Sequence, residues 1–148
     1  MELRCLAELI LKTYDLARRL RDEGVAVVSG FQSPMEREAL HILLKGTQPG
    51  GGMPPRRLPP AFGAGRLLLV SPFPAQERRA TAELAAARNR LVGALAGRIV
   101  IIHAAPGGKV GRACGEFVSW GKPVYALQSE ANRHLAALGV RLEADPLA

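Results

Sequence analysis

Apolar residues in the first 22 positions recur every three or four steps, at Leu3, Leu6, Ile10, Leu11, Tyr14, Leu16, Ala17 and Leu20, with charges between them. That is the repeat of a helix with one buried side, and Glu23-Gly24 supplies its stop. The period then changes. Val25-Ala26-Val27-Val28 is a short unbroken apolar run, the form of a buried strand. In the loop that follows, Ser33 suits an N-cap, Pro34 the first helical position and Glu36 the far end of a capping box. A helix is therefore predicted through Leu40, Ile42, Leu43 and Leu44 to Gly46. Arg66-Leu67-Leu68-Leu69-Val70 predicts a second strand, stopped by Ser71-Pro72-Phe73-Pro74.

Residues 75–87, rich in Ala, Glu and Arg, predict a short helix or an ordered loop. A helix from about Asn89 to Ala96 then leads to a strand over Arg98–His103. Helix and strand alternate again with Val110–Trp120, Val124–Leu127 and 129–138, and Val140-Arg141-Leu142 reads as a closing strand. One stretch resists assignment. Residues 47–60, Thr-Gln-Pro-Gly-Gly-Gly-Met-Pro-Pro-Arg-Arg-Leu-Pro-Pro, combine prolines that remove donors with glycines that favour irregular backbone, so they predict a long loop with no regular element.

Strands alternating with helices imply right-handed crossovers and an α/β fold with a mostly parallel sheet flanked by helices. Ligands of such sheets bind outside the carboxyl ends of the strands. Three loops are expected there, at 29–36, 71–90 and 104–109. The chain has 148 residues and 48% hydrophobic content, which fits a single domain with its own core over residues 1–148. No apolar run approaches the roughly 20 residues of a membrane span, and no basic-then-apolar leader opens the chain. The expectation is a cytoplasmic protein without a membrane partner. Cys5 and Cys114, each inside a predicted helix, read as buried thiols. Cys and His are too few and too scattered for a metal site, and no cofactor is called for.

Charge adds a direction. The net charge is +7, and it is unevenly spread. Residues 49–90 hold seven arginines (Arg56, Arg57, Arg66, Arg78, Arg79, Arg88, Arg90) against Glu77 and Glu83, a net of +5. Arginine grips phosphate and carboxylate in a bidentate way. In the expected loops, Ser29, Gly30, Gln32, Ser33, Glu36 and Ser71 could face a crevice. Arg88, Asn89 and Arg90 could clamp a phosphate. Pro106-Gly107-Gly108-Lys109 could add an amide nest and a point charge. Pairing of Arg88 and Arg90 with Glu36, Glu83 or Glu116 is the alternative reading. A nucleophilic triad finds no support. His41 and His134 fall within helices, and His103 at a strand end has no Ser or Cys partner in sequence.

Several of these segments carry a resemblance. Gly24-Val25-Ala26-Val27-Val28-Ser29-Gly30, then Gly65-Arg66-Leu67-Leu68-Leu69-Val70-Ser71, then Arg88-Asn89-Arg90-Leu91-Val92-Gly93-Ala94-Leu95 and Gly121-Lys122-Pro123-Val124-Tyr125-Ala126-Leu127 follow one another as in the Rossmann-like domain of the DprA (Smf) family, within the SLOG superfamily. Asn132 and Leu135-Ala136-Ala137-Leu138-Gly139 match its close. The resemblance covers about residues 15–142. It implies a Rossmann-like fold that binds a nucleotide or single-stranded nucleic acid, a role in DNA processing, and a possible homodimer, with no catalysis required. The chain departs from the family at Phe31-Gln32-Ser33-Pro34-Met35-Glu36 and at Pro106-Gly107-Gly108-Lys109. That second segment, with Gly111 and Glu116, resembles instead the signature of LOG-type phosphoribohydrolases, which cleave nucleoside monophosphates. That resemblance implies Arg88 and Glu116 as the catalytic pair.

Overall fold

The apolar repeat at the start of the chain folds into its expected helix. The structure is a computed structural model and describes residues 2–45, 50–52, 67–69, 73, 79 and 81–148. In it, α1 spans Glu2–Asp22. Leu9, Thr13 and Ala17, four residues apart, are 1–2% exposed and mark one face. Glu8–Lys12, Asp15–Arg18 and Arg19–Glu23 pair away from that face. The helix ends in a Schellman motif, with the Val25 N–H donating to the Leu20 carbonyl at 2.9 Å and the Gly24 N–H to the Arg21 carbonyl at 3.2 Å. Gly24 has φ +69°, which costs glycine nothing and a side chain about 1 kcal/mol or more.

The chain divides into two compact units, Thr13–Val92 and Met1–Lys12 with Gly93–Ala148. In the first, β1 (Val27–Ser29), β2 (Gly50–Gly52) and β3 (Leu67–Leu69) form a parallel sheet in that order, with Val28 level with Gly51 and Gly51 with Leu68. Helix α2 (Pro34–Leu43) follows β1. Phe31, Leu40 and Leu43 are buried together, with Leu20, Val27 and Leu44 against them.

The middle strand is a correction. Residues 47–60 were expected to hold no regular element, yet Gly50-Gly51-Gly52 is the strand between β1 and β3. Glycine disfavours a strand because its unfolded chain is so free. Here parallel neighbours on both sides offer hydrogen bonds that local propensity does not see. The rest of 47–60 lies outside the described residues, as do Arg56, Arg57 and Arg66.

The second unit has its own parallel sheet, β4 (Ile99–Ile101), β5 (Val124–Leu127) and β6 (Arg141–Glu143), in that order. The closing strand predicted at 140–142 is thus present as β6, one residue later. Helix α3 (Ala82–Leu95) precedes β4. Helix α4 (Lys109–Ser119) turns Gly111, Cys114 and Phe117 inward. A 3₁₀ helix (Glu130–Leu138) stands where an ordinary helix was expected, and at nine residues it is long for that tighter form. Ile99, Ile101, Val124 and Ala126 line the packed face of this sheet with Cys114, Phe117, Leu135 and Val140. Cys114 is fully buried, and that burial pushes its thiol above the ordinary range. Lys122 Nζ donates to the Ala94 and Ala96 carbonyls at 2.9 and 2.8 Å, placing a cation on the last turn of α3. Among the described residues no helix is long and apolar enough to cross a membrane.

One buried amide joins these pieces. Asn132 is fully buried. Its Nδ2 donates to the Ile102 and Leu127 carbonyls at 2.8 and 2.9 Å, and its Oδ1 accepts from the Ala104 N–H at 3.3 Å. Replacing Asn132 by Leu leaves all three backbone groups without that partner, and the expected loss is about 2–4 kcal/mol in urea unfolding. Asn132→Asp, which sets a carboxylate oxygen against two carbonyls, is expected to lose at least as much.

Two glycines make a matched test. A Cβ on Gly93 would lie 2.3 Å from Phe117 Cε1, whereas a Cβ on Gly115, inside α4, meets nothing within 4 Å. Helix propensity favours Ala at both by about 1 kcal/mol. Phe117 is 5% exposed and its ring lies against Trp120, so it has little room to yield. Gly93→Ala is expected to destabilise by about 1–2 kcal/mol net, and Gly115→Ala to stabilise by about 0.5–1 kcal/mol. The shift in urea midpoint reads both.

Candidate functional site

At the carboxyl end of β1 the backbone turns sharply. Phe31 has φ +49°, an uncommon conformation for a bulky residue and one that stores about 1–3 kcal/mol of strain. Two contacts hold it there. Its ring is buried against Leu40 and Leu43, and its N–H donates to Ser29 Oγ at 3.2 Å. Ser29 Oγ in turn donates to Glu36 Oε1 at 2.6 Å. Ser33 and Glu36 close the expected capping box. The Glu36 N–H donates to Ser33 Oγ at 3.2 Å, and the Ser33 N–H to Glu36 Oε2 at 2.9 Å. Gln32 Nε2 donates to the Gly30 carbonyl at 3.3 Å. Ser29, Ser33 and Glu36 are therefore engaged with one another. Pro34 brings no N–H, so the start of α2 offers fewer open donors than the sequence suggests.

Gly30 is the open point of this turn, and Arg88 covers it. A Cβ on Gly30 would lie 2.9 Å from Arg88 Nε and 3.2 Å from its Cζ. Glycine lets the guanidinium lie against the backbone, and a side chain here would push the flexible end of Arg88 aside. Arg88 Nη2 donates to Asn89 Oδ1 at 3.1 Å. Arg88 Nε is buried and, among the described residues, has no hydrogen-bond partner. A buried donor left unpaired costs about 1–3 kcal/mol. The Arg88 charge also acts on Glu36. Partial burial raises the Glu36 pKa, but hydrogen bonds from Ser29 and Ser33, with the Arg88 charge, outweigh it and hold the carboxyl below its usual range.

Arg88-Asn89-Arg90, expected from sequence at a turn feeding a helix that starts near Asn89, instead lies inside α3, which starts at Ala82. Thr81 is the reason, since its Oγ1 accepts from the Leu84 N–H at 3.1 Å and an Ala-rich stretch with Glu83 in the first turn follows. The loop expected at 71–90 is shorter accordingly. Ser71 lies outside the described residues. Arg90 is exposed on α3.

The third loop belongs to the other unit. Gly107 has φ +67°, and the Gly108 N–H donates to the Ala105 carbonyl at 3.0 Å. Gly108 is the N-cap of α4 and supplies no side-chain hydrogen bond. Lys109 is the first residue of that helix and is exposed. Pro106, Gly107, Gly108, Lys109 and Glu116 thus share the unit of Gly93–Ala148, while Ser29 through Glu36 and Arg88 through Arg90 share that of Thr13–Val92.

Two features had weak signals in sequence. One is Phe31 itself, whose positive φ nothing local announces. The other is His103, whose Nδ1 lies 3.3 Å from Asn132 Oδ1. Asn132 Nδ2 is committed to two carbonyls, so Oδ1 is the acceptor and His103 Nδ1 carries the proton. Among the described residues no cluster of three His, Cys, Asp or Glu side chains could hold a metal ion.

Because the Glu36 pKa is lower folded than unfolded, its stabilisation is full above the ordinary Glu pKa of about 4.3 and fades as pH falls through the folded value. Glu36→Gln keeps the cap geometry and removes the charge. It is expected to unfold about 1 kcal/mol more easily at pH 7, with the gap to wild type closing in acid. Urea midpoints across pH check this.

Comparison with protein-family models, with curated proteins and with solved structures returned no significant match.

Proposed function

We propose that this chain is a Rossmann-like, non-catalytic module that binds a nucleotide or single-stranded nucleic acid through phosphate contacts, with Arg88 over Gly30 as the anchor. The observation that carries the reading is the buried Nε of Arg88, a charged donor without an acceptor among the described residues. It lies on a glycine at the carboxyl end of a parallel strand, where such sheets take their ligands. A phosphate oxygen is the acceptor it lacks. The resemblance to the DprA family points to the same class of ligand and to DNA processing. The net +5 of residues 49–90 favours a polyanion over a neutral partner.

Phe31 pins the turn. Ser29 and Ser33 hold Glu36 ionised, and Glu36 keeps a negative charge within reach of Arg88 without an ion pair between them. Asn89 fixes one Arg88 nitrogen and leaves the Nε edge for the ligand.

Fluorescence anisotropy with labelled oligothymidylate, and calorimetry with AMP, test it at several salt concentrations. Arg88→Lys keeps the charge but removes the Nε–H, and it is expected to weaken both ligands by about 10-fold or more, the worth of one charge-assisted hydrogen bond. Gly30→Ala, whose Cβ displaces the guanidinium, is expected to act in the same direction with the fold intact. Wild-type affinity must fall steeply with salt. Unchanged binding in Arg88→Lys and Gly30→Ala would refute the assignment.

A further inference from the structure

The sheet of β4, β5 and β6 has a second face, away from Cys114 and Phe117. Val100, Tyr125 and Arg141 stand in one row across it, since Val100 pairs in register with Tyr125 and Tyr125 with Arg141. Arg98, two residues before Val100, falls on the same side by strand alternation. Both arginines close on the one ring. Arg98 Cζ is 5.1 Å and Arg141 Cζ 5.7 Å from the Tyr125 centroid. Arg98 comes from the β4 side and Arg141 from the β6 side, with Tyr125 between them.

Among the described residues, both arginines of this group bond to uncharged oxygens. Arg98 Nη1 donates to the Pro146 carbonyl at 2.8 Å and Arg141 Nη1 to Tyr125 Oη at 3.4 Å. Among the described residues no carboxylate forms an ion pair with either arginine, although Glu143 lies two residues along β6 on the same side. Two like charges drawn to one ring repel each other. Both are exposed and the ring is half-buried, so the arrangement leaves flat cationic and aromatic surface facing solvent.

We propose that Arg98, Tyr125 and Arg141 form a docking surface for single-stranded nucleic acid, separate from the Gly30–Arg88 site. The inference rests on the reading above for its class of ligand. Guanidiniums meet phosphates, and the planar faces of Arg and Tyr stack on bases, a combination typical of proteins that hold single strands without reading sequence. An acidic peptide would satisfy the charges but offers no flat partner for the stack, so the nucleic acid fits both halves of the arrangement.

The test uses the whole chain with labelled oligothymidylate and, separately, AMP. Arg141→Gln is expected to lower oligonucleotide affinity and reduce the slope of log K against log salt by about 0.7, one lost contact with a single strand. Tyr125→Leu is expected to weaken the oligonucleotide at least about fivefold. Arg98→Lys keeps the charge but loses the planar stack, and it is expected to weaken the oligonucleotide less than Tyr125→Leu does. All three should leave AMP binding unchanged, whereas Arg88→Lys weakens both ligands. Failure of the Gly30–Arg88 reading would show as an inert Arg88→Lys. Failure of this inference would show as unchanged oligonucleotide affinity and salt slope in both Arg141→Gln and Tyr125→Leu, with wild-type urea midpoints. Competition by polyglutamate equal to that of unlabelled oligothymidylate at matched charge would also overturn it, because the stack would then contribute nothing.

Discussion

Strand ends in a small parallel sheet leave carbonyls and amides that pair with no neighbouring strand, and a buried group of that kind must find a partner. Asn132 meets this constraint in the unit containing Gly93–Ala148. One carboxamide takes the carbonyls after β4 and at the end of β5, accepts the Ala104 N–H, and lies beside His103 Nδ1. A side chain with two donors and two acceptor positions is fully used. The 3₁₀ helix that carries it is thereby held against the end of β5 and the chain just after β4. The same contact sets the proton of His103 Nδ1 toward Asn132 Oδ1.

The unit of Thr13–Val92 solves a similar problem differently. Its turn after β1 is strained at Phe31 and held by a buried ring, a serine and a capping box. Those local bonds are nearly complete, and the exception is Arg88 Nε. A satisfied network specifies a fold, whereas a buried donor left without a partner is a local cost that the rest of the turn must offset. Asn132 and Arg88 thus stand at opposite ends, one with every polar position used and one with a buried nitrogen left open among the described residues.

Much of this was legible before the structure. The helical repeat of α1, the Ser33-Pro34-Glu36 cap and the apolar runs of β1, β4 and β5 are local patterns, and local patterns survive folding. Gly30 and Arg88 were both named as site residues, and the structure brings them together. What sequence could not supply was non-local. Gly50-Gly51-Gly52 becomes a strand only because β1 and β3 flank it. Arg88 sits deep in α3 because Thr81 starts the helix earlier than the charged motif suggests. The Arg98–Tyr125–Arg141 stack depends on strand register across three segments, which periodicity within any one of them does not encode.

The all-glycine β2 has an effect beyond its place in the sheet. In an ordinary strand, slipping by one residue exchanges inner and outer side chains, and that penalty locks the alignment. A strand of three glycines has no inner or outer side. Its alignment therefore draws no side-chain preference from its own residues and is read only from its backbone pairing with β1 and β3. A single side chain placed on β2 would give this sheet an inner and an outer face at its centre, and with them a cost for slipping.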